Sequence, residues 1–238
     1  MTNKLSSVLT AAIVAVVFTN CSSNEIGSSK DVAQDKIYQY YKISYTEGDE
    51  KFKAKAQFRF AGSNGTTLVL ASPANISFDY QPIKVDSSKF GGAFYEHTQD
   101  SGLMFAKHSF VYTDIDNKKY ENGFFYNRFT LTNIPAEAGR NQPLTFNYSF
   151  EPNFVLQSDD YITVSSVNTD SSFTVTVKST DTGGKIIIPV SELKRQKGNE
   201  LKLEATLYRK IAMQQITSEG GEMELEYKLK PVKVKLKD

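Results

Sequence analysis

Strict alternation of apolar and polar residues, turn chemistry recurring about every 8 to 12 residues, and one proline-rich break near the middle predict an all-β chain of two sandwich domains. Phe52, Ala54, Ala56, Phe58 and Phe60 alternate with Lys53, Lys55, Gln57 and Arg59 without a fault. That is the signature of a strand with one dry and one wet face. Residues 37–45, rich in Tyr and Ile, lie before it across Thr46, Glu47, Gly48, Asp49 and Glu50, so a hairpin is expected. Gly62, Ser63, Asn64 and Gly65 make the next turn and residues 66–70 the next strand; Ser72-Pro73 and Gln81-Pro82 punctuate the stretch after it. Residues 105–113 and 120–131 read as a second hairpin, closed by residues 114–118.

Pro135, Gly139 and Pro143 then interrupt the alternation, which places a boundary between a first domain at 36–138 and a second at 139–238. Alternation resumes with Leu144, Phe146, Tyr148 and Phe150, followed by Ile162 and Val164, by Phe173, Val175 and Val177, and by residues 186–188. Ser191 is expected to cap a single helical turn that ends before Gly198. Leu201, Leu203, Ala205 and Leu207 share a face, as do Met223, Leu225, Tyr227 and Leu229. After Pro231 the apolar set becomes Val232, Val234 and Leu236, a slip of one residue. Such a slip turns every later side chain over, so Pro231 is expected to mark a bulge or a change of sheet. Pro231 with Lys228, Lys230, Lys233, Lys235 and Lys237 also reads as the protected edge of a sheet.

Across residues 36–238 this strand pattern resembles tandem immunoglobulin-like or fibronectin III-like β-sandwich domains. The Cys–Trp–Cys core of antibody-type domains is missing, since the chain has no Trp and one Cys. One larger sandwich or barrel is the alternative.

Residues 1–20 read as a signal peptide: Lys4, then an apolar run from Val8 to Phe18 that is too short to span a bilayer as a helix. Cys21 follows directly. The segment resembles a bacterial lipoprotein signal, which implies that Cys21 becomes the new N-terminus and carries lipid (palmitate among its acyl chains). Phe18, Thr19 and Asn20 depart from the usual residues before that cysteine. Residues 21–35 read as a flexible tether, small and polar with little to bury. Glu25 alone is a poor acidic cluster, so the expected location is the cell envelope, at the outer membrane and facing the periplasm.

Composition narrows the function. Lys and Arg number 28, one of them in the signal, against 27 Asp and Glu, so no field draws the mature chain to nucleic acid. His97 and His108 are the only histidines, and no nucleophile elbow, zinc motif or phosphate loop is present. Asp114, Asp116 and Asn117 echo a calcium loop, but Lys119 stands where its glycine belongs, and a hairpin turn explains them better. Asp159 and Asp160 are neighbours expected to point opposite ways, unlike a catalytic pair. The expectation is therefore a non-enzymatic envelope lipoprotein without cofactor or metal. It binds an envelope protein or serves as a structural module; a glycan-binding role in an uptake or degradation system is the alternative, with a hydrolase last. Within residues 120–131, Phe125, Phe129 and Leu131 are expected on one face and Tyr120, Phe124 and Tyr126 on the other. That second stripe is the candidate recognition surface, covered by the neighbouring domain, by a partner protein or by a stacked sugar ring.

Overall fold

The computed structural model describes residues 26–88, 92–151, 157–167, 171–178 and 183–238. In chain order the first half holds β1 (Ile26–Ser28), β2 (Ile37–Thr46), β3 (Lys51–Phe60), β4 (Thr66–Val69), β5 (Asn75–Phe78), β6 (Gln81–Pro82), β7 (Val85–Ser88), β8 (Gly92–Asp100), β9 (Lys107–Thr113), β10 (Lys119–Phe125) and β11 (Phe129–Thr132). The second half holds β12 (Glu137–Gly139), β13 (Leu144–Phe150), β14 (Tyr161–Ser166), β15 (Thr174–Val177), β16 (Gly183–Ile188), the short helix α1 (Val190–Arg195), β17 (Glu200–Ile211), β18 (Gly221–Lys228) and β19 (Val232–Lys237).

The protein is all-β and its described strands form three sheets. The largest runs β1-β4-β3-β2-β18-β17-β14-β15, with β8 and β7 branching from β3, and β19 and β12 from β17. The order β10-β9-β5-β6 makes the second sheet and β11-β13-β16 the third. The alternation of β3 holds from Phe52 to Phe58, where Phe52, Ala54, Ala56 and Phe58 are fully buried; Phe60 at the strand end is exposed, and Gln57 of the polar phase is buried with its amide on the Ala93 carbonyl. The second sheet covers this face: the Phe110 ring stacks on Tyr41 of β2 and Tyr112 lies against Phe58 of β3, each pair 4.5 Å between centroids. Burial of one such ring contributes roughly 1.5–3 kcal/mol. The hairpins across 46–50 and 114–118 form as expected.

The main sheet crosses the boundary expected at 138/139. β2 of the first half pairs in parallel with β18 of the second, from Gln39 opposite Gly221 to Thr46 opposite Lys228. Both halves also contribute to one core cluster. Around the expected break, β12 is itself a strand, parallel to β19. Arg140 follows it and donates to the carbonyls of Leu193, Gln196 and Gly198, so it satisfies the C-terminal end of α1. At the other end of α1 the N-cap is Pro189 without a side-chain cap, and Ser191 lies inside the helix. The chain turns where Ser191 predicted, but by another device.

The phase slip at Pro231 is a bulge. β18 and β19 lie end to end against the same side of β17, with Lys228 opposite Thr206 and Val232 opposite Leu203. Three residues, 229–231, therefore face two, 204 and 205. Leu229 stays on the dry face, and after the extra residue Val234 and Leu236 take over that face. The expectation of a free edge is corrected: β19 lies between β17 and β12, and Lys235 and Lys237 pair with Glu137 across the β12 side.

Two further expectations are revised. The tether read over 21–35 is part of the fold from Ile26 onward: β1 pairs with β4, the Ser29 hydroxyl accepts the Ala71 N–H while fully buried, and the Gln34 amide donates to the Ser29 carbonyl. The strand read over 120–131 is two strands in different sheets. β10 ends at Phe125, residues 126–128 change level, and β11 joins β13 in the third sheet.

Candidate binding face

The recognition stripe expected at Tyr120, Phe124 and Tyr126 is interior. Their exposures are 4%, 3% and 3%, and the chain itself supplies the cover. Tyr120 stacks on Tyr112, and Phe124 packs against Phe78, His108 and Phe110. Tyr126 meets Tyr227 edge-on and donates to the Glu226 carbonyl at 2.7 Å. Phe125 is instead exposed, and the switch at 126–128 puts Phe129 back into the core. Cys21 lies outside the described residues.

The residues singled out for chemistry resolve as structure. Asp114 accepts the N–H groups of Asp116 and Lys118, which makes a hairpin turn of the calcium-like spacing. Asp160 is fully buried, accepts from Gln157 and Lys210 backbone N–H groups, and pairs with Arg209 at 3.3 Å. Burial pulls the Arg209 guanidinium below its ordinary value, against the opposing pull of Asp160. Asp159 next to it is exposed, so the two carboxylates do face different surroundings. His108 is 1% exposed, with Nδ1 2.6 Å from Asp79 and Nε2 facing the carbonyls of Leu103 and Met104. Among the described residues no group of three His, Cys, Asp or Glu side chains converges as a metal site would.

The wet side of the main sheet has the chemistry of a binding face. Period two puts Tyr38, Tyr40 and Lys42 of β2, Glu222, Glu224 and Glu226 of β18, Tyr208 and Lys210 of β17, and Tyr161 of β14 on that side. Register aligns them in rows: Tyr161 lies opposite Tyr208, which lies opposite Glu226, and Lys210 lies opposite Glu224, which lies opposite Lys42. The Tyr161 and Tyr208 rings stack with centroids 4.9 Å apart and planes at 21°. Lys42 reaches Glu226 at 2.8 Å, Lys210 pairs with Glu222, and the Tyr40 hydroxyl donates to Glu224 at 2.6 Å. Burial, then that hydrogen bond, raises the Tyr40 phenol well above its ordinary value. Burial and the Glu226 charge raise that of Tyr208. Both phenols hold their protons; that of Tyr40 is already donated to Glu224.

These side chains line a depression of about 170 Å³, with Tyr161, Tyr208, Lys42, Glu224 and Glu226 joined by Asp159 and Lys210. A second hollow shares Asp159 and Lys210 and extends to Tyr38 and Glu222. A third shares Glu226 and extends to Tyr45, Asp49 and Lys53. The three lie in line along β2 and β18, a trough of half-buried phenols, carboxylates and ammonium groups. Sequence reasoning missed it because each tyrosine occupies the polar phase of its strand and passes as an ordinary wet-face residue. The signal that could have found it was the recurrence of Tyr on the wet face of strands expected to be neighbours.

No protein-family model matches the sequence, and no curated protein matches it. Among solved structures, one similar chain comes from work on host cell surface retention of a 1.5-MDa bacterial ice-binding adhesin, at 9% identity and TM-score 0.28, covering 84% of this chain and 65% of that one. Another is SGBP-B of the Bacteroides ovatus mixed-linkage glucan utilization locus in complex with a mixed-linkage heptasaccharide, at 10% identity and TM-score 0.18, covering 82% of this chain and 61% of that one. The chain thus spans less than two thirds of the length of either. Both likenesses are remote.

Proposed function

We propose that this is a non-enzymatic, lipid-anchored binding module of the cell envelope, held at the outer membrane on its periplasmic side, whose tyrosine trough takes a neutral polyhydroxylated chain, an oligosaccharide. The two halves are read as immunoglobulin-like sandwiches joined through the β2–β18 pair. The observation that carries the reading is the Tyr161–Tyr208 stack set among Lys42, Glu224 and Glu226. Aromatic rims offer an apolar surface to the C–H faces of a sugar, while phenols, carboxylates and ammonium groups meet its hydroxyls. The carboxylates of β18 already have Lys42, Lys210 and Tyr40 as donors, so the trough presents neither sign strongly and favours an uncharged ligand over an ionic polymer.

Calorimetric titration with hexasaccharides cut from neutral plant and microbial glycans tests it. Saturable binding to at least one is expected, lost at least tenfold in Tyr208→Ala with the fold intact by circular dichroism. Absence of binding to every neutral glycan would remove the reading. The second reading is a protein partner, favoured by the exposed Phe125 beside Phe105 at one end of β10. Co-purification from solubilised envelope with wild type but not Phe125→Ser would support it.

A further inference from the structure

The end of the fold at which the chain enters the described structure carries a set of exposed apolar side chains. Ile26 is 42% exposed, Phe60 36% and Ile216 46%. Register places them at one end of the sheet, in adjacent rows and so on its two faces: Ile26 pairs with Thr67, while the preceding Thr66 pairs with Phe60, and Phe60 with Ile37. The Thr217 hydroxyl donates to the Ile37 carbonyl at 2.6 Å, which holds Ile216 beside the same strand end. The tight turn at 61–65 lies there too, with the Gly65 N–H bonded to the Gly62 carbonyl.

Chain length outside the fold decides what covers this end. Since Ile26 is already paired, only Ser22 to Glu25 separate Cys21 from fixed structure. Five residue steps span at most roughly 18 Å. The opposite end lies much farther off. β18 and β19 run end to end from 221 to 237, roughly 50 Å at the rise of extended chain. Residues 196–199 and Arg140 surround that far end.

We infer that the Ile26, Phe60 and Ile216 end rests on the lipid bilayer, so that the second half points away from the membrane. This rests on the reading that Cys21 is acylated. Lipid is the occupant because the tether leaves this end within reach of the bilayer surface and the far end out of it. Isolated apolar side chains at a bilayer interface add to what the acyl chains hold and fix orientation.

The full-length acylated protein in phosphatidylethanolamine–phosphatidylglycerol vesicles tests the inference. A lipidated Cys21 is a thioether, so one introduced cysteine is the only free thiol and accepts a fluorophore. Asn64→Cys reports the tether end and Lys197→Cys the far end. With a quencher on the lipid headgroups, quenching at 64 is expected to exceed that at 197 by at least threefold. Adding Phe60→Ser with Ile216→Ser is expected to shrink that ratio while the protein still pellets with vesicles and keeps its circular dichroism. Intact acyl mass on Cys21 with equal quenching at the two positions overturns the orientation and leaves the anchor standing. A wild type without acyl mass overturns both.

Discussion

Asn122 and Gln215 hold each other twice: the Asn122 side-chain amide donates to the Gln215 carbonyl at 2.9 Å, and its oxygen accepts the Gln215 N–H at 3.0 Å. The same oxygen accepts the Gln214 N–H, while the Gln214 and Gln215 side chains accept the N–H groups of Gly123 and Glu121. The loop between β17 and β18 thus satisfies the outer side of β10, an edge strand that would otherwise offer its backbone to other chains. Asn122 is fully buried. Replacing it with Ala leaves two part-buried N–H groups and a carbonyl without their partner, which is expected to cost about 2–3 kcal/mol. Thermal melting should fall by roughly 4–12 °C. Gln214→Ala, at an exposed position, should cost a fraction of that.

Asp160→Ala is expected to be more severe. It leaves the largely buried Arg209 without its carboxylate and removes the acceptor of the Gln157 and Lys210 N–H groups. Breaking a buried pair from one side costs about 3–5 kcal/mol. A urea midpoint within error of wild type would show that Arg209 finds adequate partners elsewhere.

Alkaline pH should unfold the protein cooperatively. Burial raises the phenol of Tyr227 to about 12 and those of Tyr41 and Tyr126 well above the ordinary value. A phenol whose value is higher folded than unfolded favours the folded state fully below the unfolded value of about 10 and loses that contribution as pH rises through the folded one. Melting temperature should be insensitive to these groups up to about pH 9 and fall between roughly pH 10 and 12. Tyrosinate absorbance of the buried rings should appear together with loss of circular dichroism.

A fragment beginning at Gln142 tests how far the halves depend on each other. It lacks β2, so the Gly221–Lys228 edge of β18 opens, and it lacks Tyr126, which covers Tyr227. The expected result is a fragment that aggregates or melts far below the intact protein. A monomer with cooperative, near-native melting would show that the second half is self-sufficient despite the shared sheet.

Much of this fold is legible locally. From Phe52 to Phe58 the alternating apolar residues of β3 are the buried ones, and the bulge at Pro231 follows from one slipped phase. What is not legible is non-local. The β2–β18 ladder joins strands about 180 residues apart, and nothing in either strand names its partner. The level change at 126–128 escaped because Tyr126, Asn127 and Arg128 include no Gly or Pro to punctuate it. The two strands therefore read as one, and an interior stripe read as a surface. The tether misled for a related reason: small polar residues such as Ser29 are what a close-packed backbone contact needs as well as what a flexible segment contains.

The parallel sense of the β2–β18 pair has a mechanical consequence. The chain enters β2 at one end of the pair and leaves β18 at the other, toward β19 and the C-terminus. Tension applied between the two termini would pull these strands past each other along their length. The cross-strand hydrogen bonds would then bear the load together rather than opening one at a time from an end. Under such tension the pair would yield abruptly, at a force set by the whole ladder.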